Sequence, residues 1–168
     1  MTESLANFFV NLFGSLNGNI IIFLISLLPI LELRGGLIAA SLLNLPFTSS
    51  FIICLIGNIL PIPFILLFLE KIFTILKKSP KIASILNKLE AKSLAKSKDI
   101  TKYKYIYLGL FLFVAIPLPG TGGWTGALLA ILLGLNRKKS FIAITLGIIT
   151  AGIIMSILSY GILGNIIN

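Results

Sequence analysis

Glu32 and Arg34 are the two charged residues that we predict to lie deep inside the apolar stretches of this chain. An ionised side chain at the centre of a bilayer costs about 2.5–3.5 kcal/mol on insertion scales, so such residues usually bind a substrate, a proton or each other. A guanidinium suits an anion such as phosphate, whereas a membrane carboxylate suits a proton or a cation. We favour a functional role over a purely structural pairing, either with each other or with the other half of the chain, that neutralises both charges.

A direct pair between the two side chains would need local unwinding, because residues two apart do not share a helix face. Gly35 and Gly36, which follow, would permit that unwinding. They would also open a short outgoing helix whose first N–H groups are unpaired, and such a helix end attracts anions. We therefore count both glycines as binding residues.

A second candidate segment runs from Pro117 to Gly126 and reads Pro-Leu-Pro-Gly-Thr-Gly-Gly-Trp-Thr-Gly. Its prolines end a helix, and its glycines allow a tight turn with exposed N–H groups, which again predicts an anion site. Either threonine could cap the outgoing helix, and the tryptophan would stack on an apolar substrate or only fill space. The candidate binding residues of this segment are Pro119, Gly120, Thr121, Gly122, Gly123, Trp124 and Thr125.

Asn58 lies in the middle of a long apolar run and must find a hydrogen-bond partner there, either in the binding site or between helices. The chain has no His and one Cys, which argues against a transition-metal site. It also lacks a nucleophile–base pair and a phosphate-hydrolysing motif. We therefore predict no metal, no cofactor and no enzymatic activity.

The composition is that of an integral membrane protein, with 57% hydrophobic residues, 11% charged residues and a mean hydropathy of +1.08. The net charge of +9 is concentrated between Lys71 and Lys104 and in Arg137–Lys139. Basic clusters beside apolar segments mark the cytoplasmic face and bind anionic headgroups. We predict a multi-pass plasma-membrane protein with residues 70–104 and 137–139 in the cytoplasm. Its partners would be membrane lipids, with anionic headgroups at the Lys-rich linker, and not nucleic acid.

The two candidate segments occupy matching places in two halves of the chain. Aligned without gaps at an offset of about 90 residues, 23–59 and 113–149 are identical at 13 of 37 positions. Broken helices at corresponding positions of two halves indicate a transport site. The identical pairs include Pro29/Pro119, Gly36/Gly126, Ser50/Ser140, Phe51/Phe141 and Gly57/Gly147.

The arms on either side of each interruption are too short to cross a membrane. Residues 106–116 would cover ~16 Å as a helix, about half of the ~30 Å hydrocarbon core. Each interrupted region is therefore predicted to be a re-entrant hairpin that returns to its own side. The basic clusters would then make the two hairpins enter from opposite faces and meet near the midplane.

We accordingly predict a single all-α membrane domain, an inverted-topology repeat of a re-entrant helical hairpin plus a transmembrane helix, with interfacial amphipathic helices. Two spans and two hairpins provide too little protein to bury the polar hairpin tips. We therefore expect a homo-oligomer, in the simplest case a dimer. The predicted parts are an interfacial helix at 1–17, a first repeat at 18–69, a basic linker helix at 70–104 and a second repeat at 105–168.

The segments Glu32-Leu-Arg-Gly-Gly36 and Pro117–Gly126 resemble the two signature segments of the putative small multidrug export protein family. The likeness covers nearly the whole chain. That family is in turn similar to the DedA (VTT-domain) superfamily, whose members carry two opposed re-entrant hairpins and move polyprenyl phosphates or other lipids across bilayers. The resemblance implies a transporter of that architecture.

Our first hypothesis is a DedA-like flippase for an anionic amphiphile, in the first instance a polyprenyl phosphate lipid. Arg34 and the two half-helix N-termini would bind the phosphate, while Glu32 would gate Arg34 or carry a proton. The first alternative is a proton-coupled exporter of lipophilic cations, with Glu32 exchanging protons for the drug. The second alternative is a non-transporting membrane scaffold in which Glu32 and Arg34 form a structural pair.

Overall fold

The computed structural model describes residues 17–76 and 100–163, and their regular structure is entirely helical. The interfacial helix predicted at 1–17, apart from Asn17, and most of the linker predicted at 70–104 lie outside the described residues. The helices are α1 (Gly18–Leu27), α2 (Glu32–Leu42), α3 (Phe47–Ile59), α4 (Pro61–Leu76), α5 (Ile100–Ala115), α6 (Gly123–Leu132) and α7 (Arg137–Ser156), which continues into a π-helical segment (Ile157–Leu163).

Two helical stretches of the described chain are long and apolar enough to cross a membrane. They are Phe47–Phe68, with 22 residues, and Arg137–Gly161, with 25 residues, and each has a mean hydropathy near 2.5. At ~1.5 Å per residue both exceed the ~30 Å hydrocarbon core. The first is continuous from α3 into α4, because Leu60 has helical dihedral angles. These stretches confirm the two predicted full spans.

The remaining apolar helices are shorter than a membrane crossing. Helices α1 and α6 have 10 residues each and α2 has 11. The first break lies at residues 28–31 and not at Glu32–Gly36, so that part of the prediction is wrong. Pro29 lacks an N–H group, and the helical hydrogen bonds resume when the Glu32 N–H donates to the Leu28 carbonyl at 2.9 Å.

Helices α2 and α6 end with the same backbone geometry at positions that the sequence alignment pairs. Asn44 and Gly134 both adopt positive φ, at 52° and 62°. The next residue closes the turn in each half, with the Leu45 N–H on the Ala40 carbonyl at 3.0 Å and the Leu135 N–H on the Ala130 carbonyl at 2.9 Å. This bond satisfies a carbonyl that the helix end leaves unpaired.

Glycines bring the long helices close to the short ones within each half. A Cβ added at Gly57 in α3 would lie 2.8 Å from the Phe23 carbonyl oxygen in α1. A Cβ added at Gly147 in α7 would lie 2.9 Å from the Phe111 carbonyl oxygen in α5. Because the obstacle is backbone in both cases, only glycine fits without a shift of the helices.

The two halves also interlock. Helix α4 packs on α6, the π-helical segment packs on α2, and α3 packs on α7. Gly152 of α7 contacts the Leu33 side chain, and at the paired positions the Ile62 side chain contacts Gly123. In both contacts a large side chain of the first half therefore faces a glycine of the second half, and the four residues form two paired positions, Leu33/Gly123 and Ile62/Gly152.

We predict that Gly57→Ala and Gly147→Ala each lower the free energy of unfolding by about 1–3 kcal/mol, because each new methyl group overpacks a helix contact. Thermal or denaturant unfolding of the purified protein in detergent would measure the loss. Gly109→Ala is the matched control, since nothing lies within 4 Å of a Cβ there and the residue is exposed on α5. It should be neutral or stabilising by up to about 1 kcal/mol. Equal effects of all three substitutions would contradict the packing assignment.

Candidate functional site

The carboxylate of Glu32 caps the first turn of a helix in the other half of the chain. Its Oε2 accepts from the Gly123 N–H at 3.2 Å and its Oε1 accepts from the Trp124 N–H at 3.1 Å. Those residues begin α6, whose N-cap residue Gly122 offers no side-chain cap. The first N–H groups of a helix have no partner within it, and negative charge is stabilised there. Glu32 therefore supplies the missing cap from about 90 residues away.

The guanidinium of Arg34 binds the opposite end of the neighbouring helix. Its two terminal nitrogens donate to the Leu118 carbonyl at 2.5 Å, to the Thr121 hydroxyl at 3.0 Å and to the Ile116 carbonyl at 3.4 Å. Ile116 directly follows the last residue of α5, and Leu118 and Thr121 lie in the turn beyond it. Positive charge is stabilised where helix carbonyls are left unpaired, so Arg34 caps the C-terminal end of α5.

One turn at the start of α2 thus carries two opposite charges to two helix ends of opposite polarity. The contacts span the whole turn between α5 and α6, because Arg34 bonds on its incoming side and Glu32 on its outgoing side. Across residues 17–76 and 100–163, both side chains bond to the other half and no bond joins them to each other. The mutual pair that we considered is therefore replaced by two separate helix caps.

Glu32 itself has a strained backbone, with φ at 50°. A non-glycine residue in this left-handed region costs about 1–2 kcal/mol. The strain occurs at the first residue of α2, where the carboxylate leaves its own helix to reach α6. Such strain persists only where surrounding contacts hold it, and its usual location is a functional site.

Gly122 lies so close to Glu32 that no other residue type fits there. A Cβ added at Gly122 would overlap the Glu32 carboxylate. The backbone of Gly122 is extended, with φ 160° and ψ −170°, so the requirement comes from space and not from conformation. Glu32 and Gly122 occupy paired positions of the two halves. The first half has a carboxylate at this position, and the second half has the glycine that makes space for it.

Asn58 adds a third polar group to Glu32. Its side chain is almost fully buried, at 2% exposure, and its amide faces the Glu32 carboxylate. The Asn58 Oδ1 and the Trp124 Nε1 are buried without a hydrogen-bond partner in the described structure. Buried polar atoms are nearly always paired, so this acceptor and this donor represent binding capacity that the protein itself does not use.

The two helix N-termini predicted as anion sites are not open in this conformation, and anion binding itself stays a prediction. The Gly35 N–H donates to the Leu31 carbonyl at 2.8 Å, so α2 has no open N-terminus at Gly35 and Gly36. Both glycines instead serve packing: a Cβ at Gly36 would overlap the Ser26 hydroxyl, and one at Gly35 would crowd Leu31. The N–H groups at the start of α6 are bound by Glu32, and Arg34 is bound by carbonyls.

The predicted threonine cap of α6 is also wrong, because Glu32 supplies that cap. The Thr125 hydroxyl donates to the Gly122 carbonyl at 3.3 Å, and Thr121 orders the turn through the Ile116 and Leu118 carbonyls, both at 2.8 Å. Gly120 turns the chain with φ 81° beside Pro119, and both residues are exposed. The site residues that the fold brings together are Glu32, Arg34, Asn58, Thr121, Gly122, Gly123 and Trp124.

Sequence reasoning did not identify the carbonyls that bind Arg34 or the contact between Asn58 and Glu32. Backbone carbonyls carry no residue-type signal, and Asn58 lies 26 residues from Glu32 on a different helix. Within the described residues, no group of three or more His, Cys, Asp or Glu side chains could hold a metal ion.

Residues 32–154 match the model of a family described as Putative small multi-drug export protein. The match begins at Glu32 and covers both halves of the site. It confirms the first resemblance found in the sequence, whereas the similarity to the DedA superfamily stays a prediction. No curated protein and no solved structure matches the chain.

We predict that Gly122→Ala displaces the Glu32 carboxylate and lowers the free energy of unfolding by about 1–2 kcal/mol, the usual value of a helix N-cap. Glu32→Ala should cost about as much, since it removes the same cap. The double variant should be no less stable than Glu32→Ala alone, because the three atoms nearest to the new methyl group all belong to the carboxylate that this variant removes. Unfolding in detergent measures all three, and additive losses would refute the contact.

Proposed function

The chain belongs to the putative small multi-drug export protein family, and from that premise we propose that it exports small lipophilic cations in exchange for protons, with Glu32 as the exchanging group. The observation that carries the proposal is the Glu32 carboxylate: only 6% exposed, yet holding the start of α6 through two N–H groups. An acidic residue buried in a membrane protein is a functional candidate by default.

Protonation of Glu32 would loosen the contact between the halves. Hydrogen bonds to a charged acceptor are roughly twice as strong as those to a neutral one. A protonated carboxyl also turns one of its oxygens into a donor, which cannot accept from a backbone N–H in the same direction. Gain of a proton would therefore weaken the hold of α2 on α6, and its loss would restore that hold.

A cationic substrate would compete with the proton and with the two N–H groups for the same carboxylate. Most donors around Glu32 are already bound within the protein, which favours a cation over an anion at the carboxylate, although the Trp124 Nε1 donor is unpaired. The nearby donors, Arg34 and the N–H groups of Gly123 and Trp124, are bound to protein acceptors. Asn58 Oδ1 remains as an unpaired acceptor. The indole of Trp124 would offer its face to an organic cation.

The membrane architecture that we propose is the predicted one: two re-entrant hairpins, α1–α2 and α5–α6, entering from opposite faces. The short helices, the paired end geometry of α2 and α6 and the paired glycine contacts of α3 and α7 support two halves of one design. Alternating access would be a rocking of one hairpin against the other. Placement in the plasma membrane with residues 70–104 and 137–139 in the cytoplasm, and assembly as a homodimer, belong to the same proposal.

A flippase for an anionic amphiphile such as a polyprenyl phosphate is the second candidate. It is favoured by the gathering of the Arg34 guanidinium and two backbone N–H groups around one turn. A phosphate could take those donors only after Glu32 has left them, so anion binding would require protonated Glu32. The scaffold hypothesis requires no transport at all.

We predict that Glu32→Gln reduces proton-driven uptake of a lipophilic cation, such as tetraphenylphosphonium, by about tenfold or more, equivalent to about 1.4 kcal/mol. Glutamine keeps the size and one acceptor oxygen but cannot exchange a proton. Arg34→Lys is the matched control, because lysine keeps a donor and the positive charge near the Leu118 carbonyl and removes no exchanging group. It should keep most of the uptake by proteoliposomes under a pH gradient.

The alternatives give different results in the same preparation. Uptake that survives Glu32→Gln would reject proton exchange at this residue. Binding of polyprenyl phosphate that is lost in Arg34→Gln would support the flippase. Cellular function that survives Glu32→Gln combined with Arg34→Gln, with unchanged folding, would support the scaffold.

A further inference from the structure

A groove of about 470 Å³ opens between α4 and the first turn of α7. Its walls are apolar and are formed by Pro63, Leu66, Leu67 and Phe141. Arg137 and Lys138 line the same groove at the start of α7, where the positive end of the helix dipole also lies. Leu67 is half exposed, so the groove communicates with the surroundings of the bundle.

The paired region of the other half differs in charge and in filling. At an offset of about 90 residues, Arg137 pairs with Phe47 and Lys138 with Thr48. The Phe47 ring packs edge-on against Tyr160, with 5.3 Å between centroids, and the Tyr160 hydroxyl donates to the Leu45 carbonyl at 3.3 Å. Aromatic rings thus pack at the start of the long helix of the first half. At the start of the long helix of the second half, Arg137 and Lys138 line a groove instead.

We propose that this groove binds one anionic phospholipid of the surrounding bilayer. Its phosphate would lie at Arg137 and Lys138, and the upper part of an acyl chain would lie against Leu66, Leu67 and Phe141. The volume falls within the range of small-molecule sites, and apolar walls that end in a few polar groups are the usual form of such sites.

The chemistry of the groove selects this occupant over others. An apolar solute would not complement the positive charge of Arg137 and Lys138, and a soluble anion would not cover the apolar walls. An anionic phospholipid matches both features of the groove, because one molecule carries a charged headgroup at the membrane surface and acyl chains that extend inward from it. The location fits as well, since α7 begins at Arg137 and runs as an apolar span from there. The site does not involve Glu32 and does not depend on the proposed export.

Native mass spectrometry of the full-length protein, released from micelles with equal amounts of phosphatidylglycerol and phosphatidylcholine, tests the proposal. We expect one phosphatidylglycerol to be retained per chain. Lys138→Gln should weaken its retention about fivefold, the effect of one basic residue near an anionic membrane surface. Lys139→Gln changes the net charge equally but does not line the groove, since the Lys139 Nζ lies over the Tyr107 ring at 6.0 Å. It should change retention less than about twofold.

A second pair of variants tests the apolar walls without changing charge. Leu67→Trp should fill the groove and reduce retention, whereas Phe64→Trp, on an exposed position of α4 outside the groove, should not. Equal losses in Lys138→Gln and Lys139→Gln would overturn the site in favour of general charge attraction. Equal retention of both lipids, or a lipid-free dimer that Leu67→Trp dissociates, would overturn it as well.

Discussion

A membrane gives the ends of a broken helix no water with which to pair. The turn between α5 and α6 leaves carbonyls at one end and N–H groups at the other, and each such group would cost several kcal/mol if it were unpaired in hydrocarbon. Here Arg34 meets the carbonyls and Glu32 meets the N–H groups. The turn is therefore stable because a helix from the other half supplies both caps.

This dependence explains several features that are costly alone. The positive φ of Glu32 is tolerated because two N–H groups and an amide converge on its carboxylate. Gly122 has no side chain because the carboxylate occupies that space. The same two contacts make the halves interdependent, so a change in the charge of Glu32 would be transmitted directly to the start of α6.

The halves are alike in backbone and unlike in chemistry. The ends of α2 and α6, and the glycine contacts of α3 and α7, repeat at paired positions. The charged turn occurs only in the first half, and the glycine-rich turn that receives it occurs only in the second. The starts of the long helices likewise differ, with Phe47 in one and Arg137 in the other. A repeated frame can thus carry two different surfaces because packing depends on small residues at a few positions, whereas the remaining positions are free to differ.

The sequence by itself determined the two long spans, the offset of about 90 residues between the halves and the importance of Glu32, Arg34 and the Pro117–Gly126 segment. These follow from hydropathy, self-similarity and the cost of buried charge, which depend on residue type and order alone. The tertiary structure decided where the first helix break lies, which residue caps α6 and which group Asn58 contacts. Each depends on a contact between residues that are distant in sequence: Glu32 and Gly123 are 91 positions apart. A local pattern shows that a helix end needs a partner, but only the packing of the two halves determines which side chain comes within 3 Å of it.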